Sequence, residues 1–82
     1  MKTRYNIRIN NDFEMLILHD DDGYIITVNK LEDGEVSFGC SGEYRKNIFN
    51  AATTAMANFV DTWPEASFPE YEIDELLLQF VA

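Results

Sequence analysis

One stretch of this chain carries a helical period over several turns, and it comes after four shorter stretches that alternate like strands. From Ser41 to Trp63 the sequence reads SGEYRKNIFNAATTAMANFVDTW. Its apolar residues Tyr44, Ile48, Ala51, Ala52, Ala55, Met56, Phe59 and Trp63 recur at spacings of three and four, the repeat of one helical face. The spacing predicts one long helix over Ser41–Trp63. Ser41 is placed to cap it, Glu43 to complement its dipole, and Pro64 to end it. The small residues from Ala51 to Ala57 let its backbone approach a sheet closely; a helix-mediated homodimer is the alternative use of the same surface.

The preceding residues supply that sheet. Tyr5, Ile7 and Ile9 alternate with Arg4, Asn6 and Arg8, the period of a strand with one wet face. Asn10 and Asn11 tolerate a tight turn and lead into Phe13–His19. In that second strand Phe13, Met15 and Ile17 share one face while Leu16 and Leu18 share the other, as in an interior strand covered on both sides or a surface kept for a partner. Asp20, Asp21, Asp22 and Gly23 make the next turn, before Tyr24–Asn29. Glu32, Asp33 and Gly34 repeat the device before a strand in which Val36, Phe38 and Cys40 share a face. The expectation is a four-stranded antiparallel meander.

After Pro64, Ser67 and Glu70 match a capping box with Pro69 in the first turn, and Thr62 with Glu65 is a second match. Tyr71, Ile73, Leu76, Leu77, Phe80 and Val81 fit a short terminal helix, although Leu76, Leu78 and Phe80 also alternate as a fifth strand would. The fold class is therefore α+β: a four-stranded antiparallel meander, one long helix across one face and a short C-terminal helix, all in a single domain of 82 residues.

Composition narrows the function. Six Lys and Arg stand against 15 Asp and Glu, a formal charge of −9, which argues against direct binding of nucleic acid or an anionic membrane and favours a basic protein partner. The bland alternative is that the charge only keeps a small domain soluble. A single cysteine, Cys40, rules out an internal disulfide. Lys2, Arg4, Asn6 and Arg8 interrupt the first ten residues, so no signal-like apolar run opens the sequence, and no run approaches the ~20 residues of a membrane span. The expected location is the cytoplasm.

Groups that could do chemistry are sparse. His19 with Asp20, Asp21 and Asp22 lacks the spacing of a calcium loop and has no second histidine for a transition metal; it reads as a solvated turn. In a meander, His19 and Cys40 lie on strands separated by a third, too far apart for a thiol–imidazole pair, and Cys40 reads as a small core residue. Gly39 and Gly42 lack the context of a phosphate loop. The reading is of a non-enzymatic protein with no catalytic residue, metal or cofactor.

Charge is distributed unevenly. From Asn47 to Ala82 there is no Lys or Arg, whereas Asp61, Glu65, Glu70, Glu72, Asp74 and Glu75 all fall there. These six acids are the candidate contacts for a basic partner. Trp63 beside Pro64 joins them as a candidate interface anchor, or else closes the core at the helix end.

Two resemblances add to this. From Gly23 to Met56, the order Gly-Tyr-Ile-Ile-Thr-Val, an acidic glycine turn, a strand ending in glycine and a helix carrying Asn50, Ala51 and Ala52 resembles the HicB-type antitoxin domain. The matching residues are Gly23, Tyr24, Val28, Gly39 and Asn50. Asn29–Gly34 stands where that family has a Pro-Asp-Leu-Pro-Gly turn, and Gly39, Cys40 and Ser41 stand where it has Gly-Asp-Thr. The resemblance implies an antitoxin or regulatory module that neutralises a toxin. In size and acidity the chain is also similar to small phage-encoded inhibitors of the DNA-mimic anti-restriction and anti-CRISPR kind. That likeness implies an acidic inhibitor of a basic, nucleic-acid-handling protein. A small structural or interaction domain without charge mimicry is the third reading.

Overall fold

The Asn10–Asn11 turn starts the sheet in the way asparagine chemistry favours: Asn10 Oδ1 accepts from the amides of Asp12 and Phe13 at 2.8 and 3.0 Å. The computed structural model describes residues 3–65 and 68–81. Strands β1 (Thr3–Arg8), β2 (Phe13–His19), β3 (Tyr24–Glu32) and β4 (Glu35–Ser41) form a four-stranded antiparallel sheet in sequence order. Helices α1 (Ile48–Thr62) and α2 (Glu70–Val81) follow, so the terminal segment is helix rather than a fifth strand.

Each turn has a visible cause. Asp20 Oδ1 accepts from the amides of Asp22 and Gly23, closing the β2–β3 turn. Asp33 and Gly34 take φ values of 53° and 82°, the positive pair that a two-residue hairpin turn matched to strand twist requires. Beyond that turn the register breaks: Lys30 pairs with Phe38 but Leu31 pairs with Val36, which leaves Ser37 as an extra residue. The bulge reverses the alternation. Phe38 and Cys40 pack against the core as expected, whereas Val36 is turned out and 53% exposed.

The long helix begins later than its periodicity predicts. Ser41 is not its cap; it ends β4, and its hydroxyl pairs with Thr27 Oγ1 at 2.8 Å. From there the chain stays on the sheet. The Gly42 amide donates to Ile26 O, and Tyr24 and Arg45 exchange backbone bonds of 2.7 and 3.0 Å. Those pairings hold the backbone extended, and the cap passes to Asn47, whose side chain accepts from the amides of Phe49 and Asn50. Tyr44 therefore lies outside the helix. The end is as expected, with Trp63 as C-cap directly before Pro64.

Both helices contribute to one core. Met15, Ile17, Ile26 and Val28 from the central strands meet Ala51, Ala52, Ala55 and Phe59 from α1 and Ile73 and Leu77 from α2. Burying each large apolar side chain here is worth about 1.5–3 kcal/mol. The alanines serve close approach to the sheet: α1 lies over β3 and β4, and a Cβ on Gly42 would stand 2.9 Å from Ala55 Cα. Phe59 is the centre of the aromatic packing, with ring centroids 5.7 Å from Phe13, 5.5 Å from Phe38 and 4.9 Å from Phe68. On the sheet's other face Leu16 and Leu18 are half-buried; Leu18 and Ile25 line a small hollow with Tyr44 instead of meeting a second layer.

The cap expected at Ser67 lies outside the described residues. Thr62 does not cap a further turn, because it ends α1 and its hydroxyl donates back to Asn58 O at 2.8 Å. No described helix is long and apolar enough to cross a membrane.

Candidate binding surface

Helix α1 buries the stripe of Ala51, Ala52, Ala55 and Phe59 and thereby turns Thr53, Ala57 and Val60 outward. Helix α2 buries Ile73 and Leu77, which leaves Glu70, Tyr71, Asp74, Glu75 and Leu78 in solvent. Where these outward stripes meet, Thr53, Met56, Ala57 and Val60 of α1 and Glu70 and Asp74 of α2 border a groove of about 330 Å³. Val60 is 44% exposed in it. Glu70 and Asp74, one helical turn apart, also border a second hollow of about 550 Å³ with Phe68, Pro69, Tyr71 and Glu72.

The candidate contacts divide between different places. Asp61, Glu65, Glu70, Glu72, Asp74 and Glu75 are all exposed. Only Glu70 and Asp74 share the interhelical groove. Glu72 faces the β1–β2 turn, where its Oε2 accepts from Asn10 Nδ2 at 3.0 Å. Asp61 belongs to the last turn of α1, and Glu65 to the turn after it. Trp63 is half-buried, with its ring 5.9 Å from Phe38 and 6.2 Å from Phe59, so much of its surface is spent on the core.

The electrostatics of this half are one-sided. Among the described residues the ion pairs are Lys30–Asp12 at 3.8 Å and Arg45–Glu43 at 2.6 Å, and neither involves the six acids. Glu70 and Glu72 sit in the first turn of α2, where the helix dipole favours a carboxylate. Asp61, near the C-terminal end of α1, has no such compensation, since that last turn holds no basic residue.

The groups considered for chemistry have structural partners. His19 stacks on Tyr24 with centroids 4.3 Å apart, and its Nδ1 lies 3.2 Å from Gly23 O. Cys40 pairs across the sheet with Val28 and packs on the core. No group of three or more His, Cys, Asp and Glu among the described residues is arranged to hold a metal ion. Asp20 instead accepts from the Tyr44 hydroxyl at 2.5 Å. That hydrogen bond, then desolvation and the nearby charges of Asp20, Asp22 and Asp21, pushes the Tyr44 phenol up to about 12.

Sequence reasoning missed the groove residues Thr53, Ala57 and Val60, although their i, i+4, i+7 spacing marks a second stripe opposite the core. It also placed Tyr71 on the apolar face of the terminal helix, where the structure leaves it 76% exposed. Compared with protein-family models, curated proteins and solved structures, the chain matches none.

Proposed function

We propose that this chain is a non-enzymatic protein-binding module of the inhibitor type, which docks a basic, nucleic-acid-handling protein through the carboxylates of its helical half. One observation carries the reading: Asp61, Glu65, Glu70, Glu72, Asp74 and Glu75 are exposed, and none of them is in an ion pair with a described Lys or Arg. Unneutralised charge of one sign steers an oppositely charged groove and raises its rate of encounter. The partner's natural ligand would be a polyanion, and this surface would compete with it. The compositional likeness to small acidic phage-encoded inhibitors supports the same reading.

A second reading, an antitoxin-like module, is favoured by one feature. The segment that resembles the HicB-type domain, Gly23 to Met56, comprises β3, β4 and most of α1, and α1 packs on those two strands. The residues carrying the resemblance thus fall within one packed unit.

Affinity capture with the tagged chain from its native host separates the two. Recovery of one basic nuclease, restriction or CRISPR effector supports the first, and recovery of a small toxin supports the second. A partner with no cationic surface would contradict the charge-based reading.

A further inference from the structure

We propose that the groove between α1 and α2 receives one apolar anchor side chain from a cationic helical segment of a protein partner, while Lys or Arg side chains flanking that anchor pair with Glu70 and Asp74. The inference rests on the reading that the partner is basic, and adds to it the place and the chemistry of docking. The groove has the composition of an anchor pocket rather than of a purely electrostatic surface. Met56, Ala57 and Val60 give it an apolar floor, and its volume of about 330 Å³ is ample for one large side chain.

Charge selects the occupant. The carboxylates of Glu70 and Asp74 stand on the rim, and no Lys or Arg lines the groove or the hollow beside it, so an acidic segment would meet repulsion there. The same two carboxylates border the neighbouring hollow beside Tyr71, itself 76% exposed. A segment running along α2 can therefore keep its basic residues near them while its apolar side follows the groove. An apolar stripe set between charges at helical spacing is the pattern that a helix in a groove presents.

The test is an NMR titration of the intact chain with three synthetic peptides: a Leu/Lys amphipathic helix carrying one Trp, a Lys/Ser/Gln peptide of equal charge, and a Leu/Glu helix. The expected result is that the first binds most tightly, shifts the amides of Met56, Ala57 and Val60, and places its indole against the Met56 methyl, while the third does not bind. Ala57→Arg fills the groove and weakens that binding about tenfold or more, as loss of an anchor does. Asn6→Arg adds the same charge on an exposed position of β1 and leaves binding within about twofold, as a single rim charge at physiological salt does. Should Ala57→Arg fail to fold, Val60→Lys makes the same test at a position already 44% exposed. Equal binding of the two cationic peptides, or shifts that avoid the groove, would overturn the anchor pocket while leaving a charge-based partner in place. Silence toward both cationic peptides would overturn the pocket and the basic-partner reading together.

Discussion

The Tyr44 hydroxyl donates to Asp20 Oδ1 at 2.5 Å and so ties the segment after β4 to the β2–β3 turn, across 24 residues of sequence. The same Oδ1 accepts from the amides of Asp22 and Gly23, so one carboxylate organises the turn and holds the segment after β4. The hydrogen bond to Asp20, with desolvation and the surrounding aspartates behind it, raises the Tyr44 phenol from 10.0 to about 12. A folded pKa above the ordinary value means that the contribution of this contact is complete below pH ~10. It is lost as pH rises through about 12. Carbon NMR of the Tyr44 ring should show that late titration, and Asp20→Asn should bring it back toward the ordinary value. Titration of Tyr44 at the ordinary value in the unmodified chain would contradict the contact.

Helix α1 is capped by Asn47, and a pair of substitutions tests this directly. Asn47→Ala should lower stability by about 1 kcal/mol in urea unfolding, the usual loss on removing such a cap. Ser41→Ala, which removes only an exposed hydroxyl contact to Thr27, should cost less. The reverse order would restore the earlier helix start.

That boundary shows what was legible in the sequence. Period-two alternation and Asp-Gly or Asn turns were enough to place the strands, because one-sided burial, the side-chain oxygens of Asn10 and Asp20 that accept from turn amides, and the positive φ pair at Asp33 and Gly34 leave local marks. The start of α1 leaves no such mark: Tyr44 fits the helical spacing with Ile48, and only the long-range pairing of Tyr24 with Arg45 keeps it off the helix. Val36 misled for a related reason, since a bulge at Ser37 is set by the register against Lys30 and Leu31. The acids of the candidate surface could be read from charge counting alone. The groove could not, because it depends on how two successive helices pack against each other, which no local pattern records.

Gly42 is fixed by its neighbour. A Cβ there would stand 2.9 Å from Ala55 Cα, a backbone atom that cannot swing away. Gly42→Ala should destabilise by about 1–3 kcal/mol, the range for overpacking. Gly34→Asn, at a φ of 82° that asparagine tolerates, should cost less. Chemical denaturation of the two variants side by side makes the comparison.

Phe59 joins the sheet to the segment that leads into α2. It is fully buried and its ring meets those of Phe13, Phe38, Phe68 and Trp63. Phe59→Ala should cost about 3–5 kcal/mol, a large share of what a domain of this size has. A thermal melt that shifts by only a degree or two would show that the aromatic cluster does not hold the layers together.

Partner binding through the carboxylates of the helical half can be decided by one comparison. The affinity of the captured partner is measured at low and at high salt, for the unmodified chain and for the chain with Glu70→Gln, Glu72→Gln, Asp74→Asn and Glu75→Gln together. Exposed charges contribute little to stability, and loss of the dipole contacts of Glu70 and Glu72 costs about 0.3–1 kcal/mol each, so the variant should remain folded. Attraction between exposed charges is screened over ~8 Å at physiological salt. The expected result is that the unmodified chain binds several-fold faster and tighter at low salt than at high salt, and that the variant loses most of that advantage. Equal affinity of the two chains at both salt concentrations would contradict it.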